Sequence, residues 1–461
     1  MLSTEVSWLL RRVELDGTRT DCRLDNGRIT ALGLDLPALT GDRVIDACGG
    51  ALLPGLADHH IHLLAVAAAR RSIDLAGGHD LTEVRDRHGT GWLRVIGAGT
   101  ELRREDIDRV RDDRPIRIQH RSGALWTLNS PAVELLASAL SRDETATGQL
   151  WRADGGLRQL LDALPDSDSR SMISLRELRV VGRQLAASGV THLTDATPDL
   201  TGEALALLRR ELPQRIMSLG PDGDGPRKLV IAEHVAVSLT DLIDRVRAAH
   251  DAGRAVAVHA VTQQALALAI AALRSAGSVE GDRIEHAAIC DDQAAEQLAE
   301  LGVTVVTQPS VLTRHGLAYW RDTEVEDRRF LWRYASLRSA GVSVAVSSDA
   351  PYGEADPWRT IRAAATRELA DHSTRDEAEC VSPAIALRSM ITDLRHPAGP
   401  ARQIAPGVAA DLALLRYPLA TALRAAEREG TCAVLATFIA GAPVHLSAQV
   451  KTDKAPDVDP A

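Results

Sequence analysis

Along this chain the apolar residues change their period twice. From Glu5 to Asp46, short runs such as VSWLLRRVEL, TDCRL and GRITALG read as β pieces separated by turns, with Asp25-Asn26-Gly27 supplying a hairpin turn. GGALLPGLADHHIHL then runs from an apolar strand into a cluster of Asp and His. Beyond it the pattern alternates. WLRVIGAG, RPIRIQH, GVTHLTDAT, RKLVIAE, AVAVHAV, DRIEHAA, GVTVVTQPS and GVSVAVSSDAP are apolar strand-like runs. Between them lie stretches of helical period such as SLTDLIDRVRAAHDAG, TQQALALAIAALRSAG and DDQAAEQLAELG. Several helices stop on Gly, at Gly253, Gly277, Gly302 and Gly341, as a left-handed cap requires. Near the end, APGVAADLALLR and CAVLATFIAGAPVHL return to short β pieces.

A strand, a helix, a Gly stop and a new strand, repeated about eight times, predict an α/β fold with a parallel sheet closed as a (β/α)8 TIM barrel. An open doubly wound sheet is the alternative, but no GxGxxG opens a first strand–helix turn. The expected layout is a barrel over 53–400, with a small β-sandwich domain built from 1–52 and 401–448. The polar tail 449–461 is expected to be disordered.

Composition narrows the function. The chain has 461 residues and a net charge of −10, which argues against a nucleic-acid or anionic-membrane surface. With 45% hydrophobic and 25% charged residues it is not a largely disordered chain. No apolar run approaches the ~18 residues of a membrane span. The opening MLSTEVSWLLRRVELDG carries charges where a signal peptide needs an apolar stretch. The five cysteines are scattered without CxxC spacing, as in a reducing compartment, so a cytoplasmic protein is expected. Only three lysines occur, and Lys451 and Lys454 lie in the tail. Lys228 is therefore the single lysine of the body, in a chain that otherwise uses arginine for positive charge.

The histidines and acids fall at strand ends. Asp58, His60 and His62 end the first barrel strand, and residues two apart on a strand point to one side, so both imidazoles can converge on one ion. Lys228 begins RKLVIAE, His259 ends AVAVHAV, His286 ends DRIEHAA and Asp349 follows VSVAVSS. Strand ends of a barrel meet at one mouth. A lone strand-end His is ordinarily structural, but four with an Asp form a zinc-like set. Lys228 alone reads as a salt-bridged residue. The arginine bias favours a role a guanidinium cannot fill, since a desolvated amine loses its proton and reacts with carbon dioxide to give a carbamate that can bridge two metal ions.

PGLADHHIHL, the strand Lys, VHA, RIEHA and SSDAP, in this order, resemble the amidohydrolase superfamily of metal-dependent hydrolases. The likeness is to the branch that includes N-substituted formamide deformylase. It extends through RSIDLAGGHDLTEV, RPIRIQHRSGALWTLNS, RIEHAAICDDQAAEQLAELGVTVVTQPS and SLRSAGVSVAVSSDAPYGEADPW. The resemblance implies a metal shell of His60, His62, carboxylated Lys228, His259, His286 and Asp349, holding one or two divalent ions, with zinc expected. It implies hydrolysis of an amide, formamide or cyclic amide C–N bond by a metal-activated water. Asp349 would be the general base, and His286 would help hold the carbonyl oxygen. The chain departs from the branch after His259, where Ala260-Val261-Thr262-Gln263 replaces the usual Ala-x-Gly-Asp, and after Lys228, where Ala232-Glu233-His234 stands for an Asp-Gly. Deaminases of the superfamily place a proton-handling Glu where this chain has Thr262, which argues against deamination.

Substrate contacts are read from His120, Trp126 and Asn129 (with Arg121 beside them) in QHRSGALWTLNS, and from Gln308 after the seventh strand. Asn129 is equally an N-cap for the helix beginning SPAVELLA. Asp195 is a weaker candidate, and the aromatic-rich segment from Thr313 to Tyr334 is either a substrate lid or an interface. The partner expected is a small-molecule substrate, with a homodimer as the default assembly. Ester hydrolysis, decarboxylation or isomerisation on the same scaffold, and a non-catalytic metal-binding scaffold, are the competing readings.

Overall fold

The computed structural model describes residues 6–75, 78–89, 91–121, 123–151, 157, 160, 161, 175–231, 237–450 and 452–454. The chain forms two compact units, one of Met1–His62 with Val181–Ala461 and one of Leu63–Val180.

The larger unit is of TIM-barrel type. Its eight parallel strands are β1 (Leu56–Ile61), β2 (Val190–Asp195), β3 (Arg215–Ser218), β4 (Arg227–Val230), β5 (Val256–Ala260), β6 (Arg283–His286), β7 (Thr304–Thr307) and β8 (Ser343–Val346). β1 to β3 are paired in order, as are β4 to β8. Two links join the groups. Lys228 N donates to Leu219 O at 2.9 Å beyond β3, while Asp349 N donates to His60 O at 2.8 Å and His62 N to Ala350 O at 2.9 Å. Single backbone hydrogen bonds thus link the three-stranded and the five-stranded sheet on both sides. These strands are buried, which is why they read as continuous Val/Ile runs rather than alternating ones. Helices between and after them begin on side-chain caps: Thr201, Ser238, Thr262, Asp291 and Asp356 each accept a backbone N–H of the first turn. Gly253, Gly277, Gly302 and Gly341 all sit at positive φ, where the sequence places helix stops.

Both chain ends build two further sheets. One is ordered Thr452–Lys454, Arg43–Asp46, Trp8–Leu15, Thr18–Asp25, Arg28–Gly33, and the other Ala442–Leu446, Val434–Ile439, Leu412–Leu415, Leu52–Pro54. The predicted turn closes the hairpin, with Asn26 at φ 50° and Gly27 at φ 76°. A single apolar cluster, including Trp8, Leu10, Leu24, Ile45, Leu412 and Phe438, draws on both sheets. The Trp8 and Phe438 rings meet edge-on at 5.6 Å.

Three expectations are corrected. WLRVIGAG and RPIRIQH do not join the eight-strand series. Leu93–Ala98 and Ile116–His120 pair with each other in the five-stranded sheet of the Leu63–Val180 unit. An apolar run records that a strand is buried, not which sheet buries it. The span 53–400 is likewise interrupted by that unit, and Leu52–Pro54 crosses its expected edge to pair with Leu412–Leu415. Finally, Thr452–Lys454 is a strand antiparallel to Arg43–Asp46, so this part of the tail is ordered by backbone pairing despite its polar sequence. The rest of the tail beyond Val450 lies outside the described residues.

Replacing the buried Phe438 with Ala is expected to destabilise the protein by about 3–5 kcal/mol through lost apolar contact and a cavity. Chemical denaturation checks this; a loss below about 1 kcal/mol would contradict the shared core.

Candidate metal centre

The side chains expected at the strand ends converge. Ligand atoms of His60, His286 and Asp349 all lie within 4.8 Å of one another, and all three residues are buried. Asp349 Oδ1 stands 3.4 Å from His60 Nε2 and 3.3 Å from His62 Nε2. The His259 ring is 4.5 Å from that of His286, and the His60 ring 4.9 Å from it. Lys228 is the second residue of β4, at the start of the run RKLVIAE. It pairs with Ala257 while Val230 pairs with His259, and its four-carbon stem carries Nζ up to 3.2 Å from His60 Nε2.

Local backbone explains part of the convergence. His259 and Glu285 are register partners on β5 and β6, so they share a face. His286, one residue further, leaves strand geometry at φ 77°, and Asp349 stands at φ 52°. Such left-handed conformations are costly for residues with a Cβ and cluster where function fixes a side chain. Asp58 braces the site from below: its Oδ1 accepts from His60 N at 3.2 Å and Ser348 N at 3.1 Å, and its Oδ2 from Ser348 Oγ. It thereby ties the first strand of the series to the last, and burial raises its pKa to about 6 despite those bonds.

Burial also fixes protonation. It pushes His259 down to about 3 and holds His60 and His286 well below the ordinary imidazole value, with the Lys228 charge adding to the effect. All three are neutral rings with a lone pair to offer. Their hydrogen-bond partners select which nitrogen offers it. Gln308 donates its amide Nε2 to Val306 O and Ser347 Oγ, so its Oε1, 2.7 Å away, accepts from His286 Nδ1–H. His60 gives Nδ1–H to Glu285 Oε2. Nε2 of His60 is then an acceptor facing the Asp349 carboxylate, whose buried Oδ1 has no hydrogen-bond partner among the described residues. The carboxylate oxygen left without a donor and the imidazole lone pair beside it, which only the Lys228 amine faces as a donor among the described residues, fit a cation, which neutral imidazoles and a carboxylate are suited to bind. Burial lowers Lys228 to about 8, which places an unprotonated amine within reach at neutral pH.

The proposed substrate contacts fare differently. Gln308 is fully buried, and its contacts make it a support for His286 rather than a surface group. In the Leu63–Val180 unit, Asn129 is buried and caps the helix Ser130–Leu136. Its Oδ1 accepts from Ile116 N and Ala132 N, and its Nδ2 donates to Arg114 O and Arg111 O. Trp126 is buried in that unit's core between the Arg94 and Arg117 guanidinium groups, 5.3 and 4.9 Å from its ring. His120 is half-buried at the end of its strand. Asp195 accepts Thr197 N at 3.0 Å, and Thr197 Oγ1 lies 3.3 Å from His62 Nδ1. In the aromatic segment, the Tyr319 and Trp332 rings meet at a tilt of 47° with centroids 5.0 Å apart and pack with Val311, Leu312 and Leu369 against Ala288, two residues past His286. Glu233 and His234 lie outside the described residues.

Arg283 and Glu285 were not anticipated. The signal was present in RIEH, where an Arg and a Glu two apart occupy one face of a wholly buried strand.

A family model described as "Amidohydrolase family" matches residues 43–445. The chain belongs to the amidohydrolase family of metal-dependent hydrolases. It is 23% identical to the N-substituted formamide deformylase of Arthrobacter pascens over 82% of this chain and 85% of that protein. Among solved structures it is similar to an uncharacterized metal-dependent hydrolase from Pyrococcus furiosus, with a TM-score of 0.64 and 20% identity over 90% of this chain and 100% of that one. It is also similar to a 5-methylcytosine deaminase from Klebsiella pneumoniae, with a TM-score of 0.55 and 16% identity over 96% and 98% of the two chains. At these identities the structural likeness speaks to the amidohydrolase fold alone.

Asn129→Ala is expected to cost roughly 1–3 kcal/mol of stability, because it removes a cap and leaves buried backbone groups unpaired. It should leave the KM of the folded enzyme unchanged. A raised KM with undiminished stability would restore Asn129 as a substrate contact.

Proposed function

We propose that this amidohydrolase cleaves the C–N bond of an amide, formamide or cyclic amide, on a (β/α)8 barrel flanked by a β-sandwich of both chain ends. The observation that carries the reading is Asp349 Oδ1, a buried carboxylate oxygen with no hydrogen-bond partner among the described residues, which His60 Nε2 and His62 Nε2 approach to within 3.4 Å. His60, His62, His259, His286 and Asp349 would hold the divalent metal, zinc in this reading, and Lys228 as its carbamate would add a second carboxylate. One or two ions would bind. The bound ion would lower the pKa of water toward neutrality and polarise the substrate carbonyl.

The chain's own residues supply the rest. Asp349 takes the proton of the attacking water on its unpartnered carboxylate and returns it to the leaving amine. His286, with Nδ1–H given to Gln308, keeps Nε2 free to ligate or to support the carbonyl oxygen as charge develops. Lys228 would form the carbamate when its neutral amine attacks carbon dioxide and the nitrogen gives up a proton, a step that its lowered pKa favours. Thr262 separates this reading from deamination, since its hydroxyl is committed to capping the helix Gln263–Ala276 by accepting Ala265 N. The relative from Arthrobacter, by its name, acts on N-substituted formamides, and such compounds lead the substrate class proposed here. A cytoplasmic homodimer acting on a small molecule completes the proposal.

Asp349→Asn is expected to keep its metal while turnover falls about 10²–10⁴-fold, the usual contribution of a general base. Metal analysis and amine release from a panel of N-substituted formamides, N-acyl amino acids, cyclic amides and esters check both halves. Full activity in the variant, or turnover of the esters alone, would overturn the assignment.

A further inference from the structure

His60 does not stand alone at the centre; it ends a chain of buried groups. Its Nδ1 meets Glu285 Oε2, the other oxygen of Glu285 accepts from Arg283 Nε, and Arg283 Nη2 donates to His59 O at 3.0 Å, next to His60 in sequence. Glu285 and Arg283 are buried, and neither is a member of the convergent acceptor set. A buried ion pair is a poor source of stability, since its desolvation offsets its attraction. Its position here has a more specific consequence. Arg283 is a donor only, so it always claims one Glu285 oxygen, and the oxygen left over can only accept. Whatever faces that oxygen must donate, and what faces it is His60 Nδ1.

We infer that Glu285, held by Arg283, is a positioning residue that locks His60 in its Nδ1–H form, with the Nε2 lone pair turned toward Lys228 and Asp349. The inference rests on the metal-dependent reading above for its purpose, but not for its test. Carboxylates that hold a ligating imidazole in this way typically contribute 10–100-fold in metal affinity.

The double acceptor is what matters, and an amide cannot replace it. In Glu285→Gln, Arg283 recruits the amide oxygen and the amide NH2 is left facing His60, which then accepts on Nδ1 and carries its proton on Nε2. Removing the competing donor reverses this. In the Arg283→Met/Glu285→Gln double variant the amide oxygen is free to accept from His60 Nδ1–H, so the original form returns.

The experiment is nitrogen NMR of imidazole-labelled protein stripped of metal, with the His60 signals assigned by their loss in His60→Asn. Zinc affinity is measured in parallel by chelator competition. Expected are an Nδ1–H signature in the wild type, an Nε2–H signature with 10–100-fold weaker zinc binding in Glu285→Gln, and recovery of both in the double variant. An Nε2–H ring in the wild type, or an Nδ1–H ring and unchanged zinc affinity in Glu285→Gln, would overturn the inference. A loss of affinity that the double variant does not recover would also overturn it, as a structural defect. Should the single variant not fold, the wild-type spectrum alone decides. Absence of zinc binding by a wild type with the Nδ1–H signature would instead sink the proposed function and leave this assignment standing.

Discussion

Everything at the centre depends on one buried carboxylate oxygen and the rings that face it. Asp349 Oδ1 has no hydrogen-bond partner among the described residues, yet two imidazole nitrogens stand within 3.4 Å of it. In water such an arrangement would relax by rotation or by taking up a proton. Here burial holds His60, His259 and His286 neutral. In the reading proposed above, a divalent cation would satisfy these lone pairs together. Left-handed backbone at His286 and Asp349 belongs to the same constraint, because both residues must leave regular geometry to aim their side chains inward.

The surrounding residues make that cluster specific. Gln308 and Glu285 take the Nδ1 protons of His286 and His60, and so decide which nitrogen stays bare. Asp58 joins the first and last strands of the series directly beneath the site, where Ser348 donates to it twice. Each of these supports converts a flexible polar side chain into a fixed lone pair, the preorganisation on which electrostatic catalysis relies.

Much of this was legible in the sequence, for identifiable reasons. Strand-end chemistry is local: HxH, VHA, RIEHA and SSDAP put ligand types at the ends of apolar runs, and strand ends of one series meet. Helix stops at Gly302 and Gly341 and the Asn26-Gly27 turn were equally plain, because each needs a backbone conformation that its residue favours. What failed depended on non-local information. Leu93–Ala98 and Ile116–His120 have the same apolar pattern as the strands of the series, and only pairing reveals that they belong to another sheet. For Trp126 and Asn129 the sequence leaves substrate contact open beside a packing or capping role, because polarity and aromaticity do not report burial; Asn129 is the N-cap, and its side chain makes four hydrogen bonds inside its own unit. Gln308 reads from the sequence as a substrate contact, and in the structure its buried amide oxygen accepts from His286 Nδ1–H, a contact between two strand ends that has no local trace. Glu285 was passed over because its oxygens face Arg283 from its own strand and His60 from a strand 225 positions away in sequence, and the second contact has no local trace.

The central claim is that the buried acceptor set exists to hold a metal. Elemental analysis of protein purified without chelator, for the wild type beside Lys228→Ala, tests it most directly. The account predicts one or two divalent ions per wild-type chain, with fewer in the variant if the lysine carbamate contributes a ligand. A wild type that is folded, binds no divalent ion and takes none up on titration would contradict it.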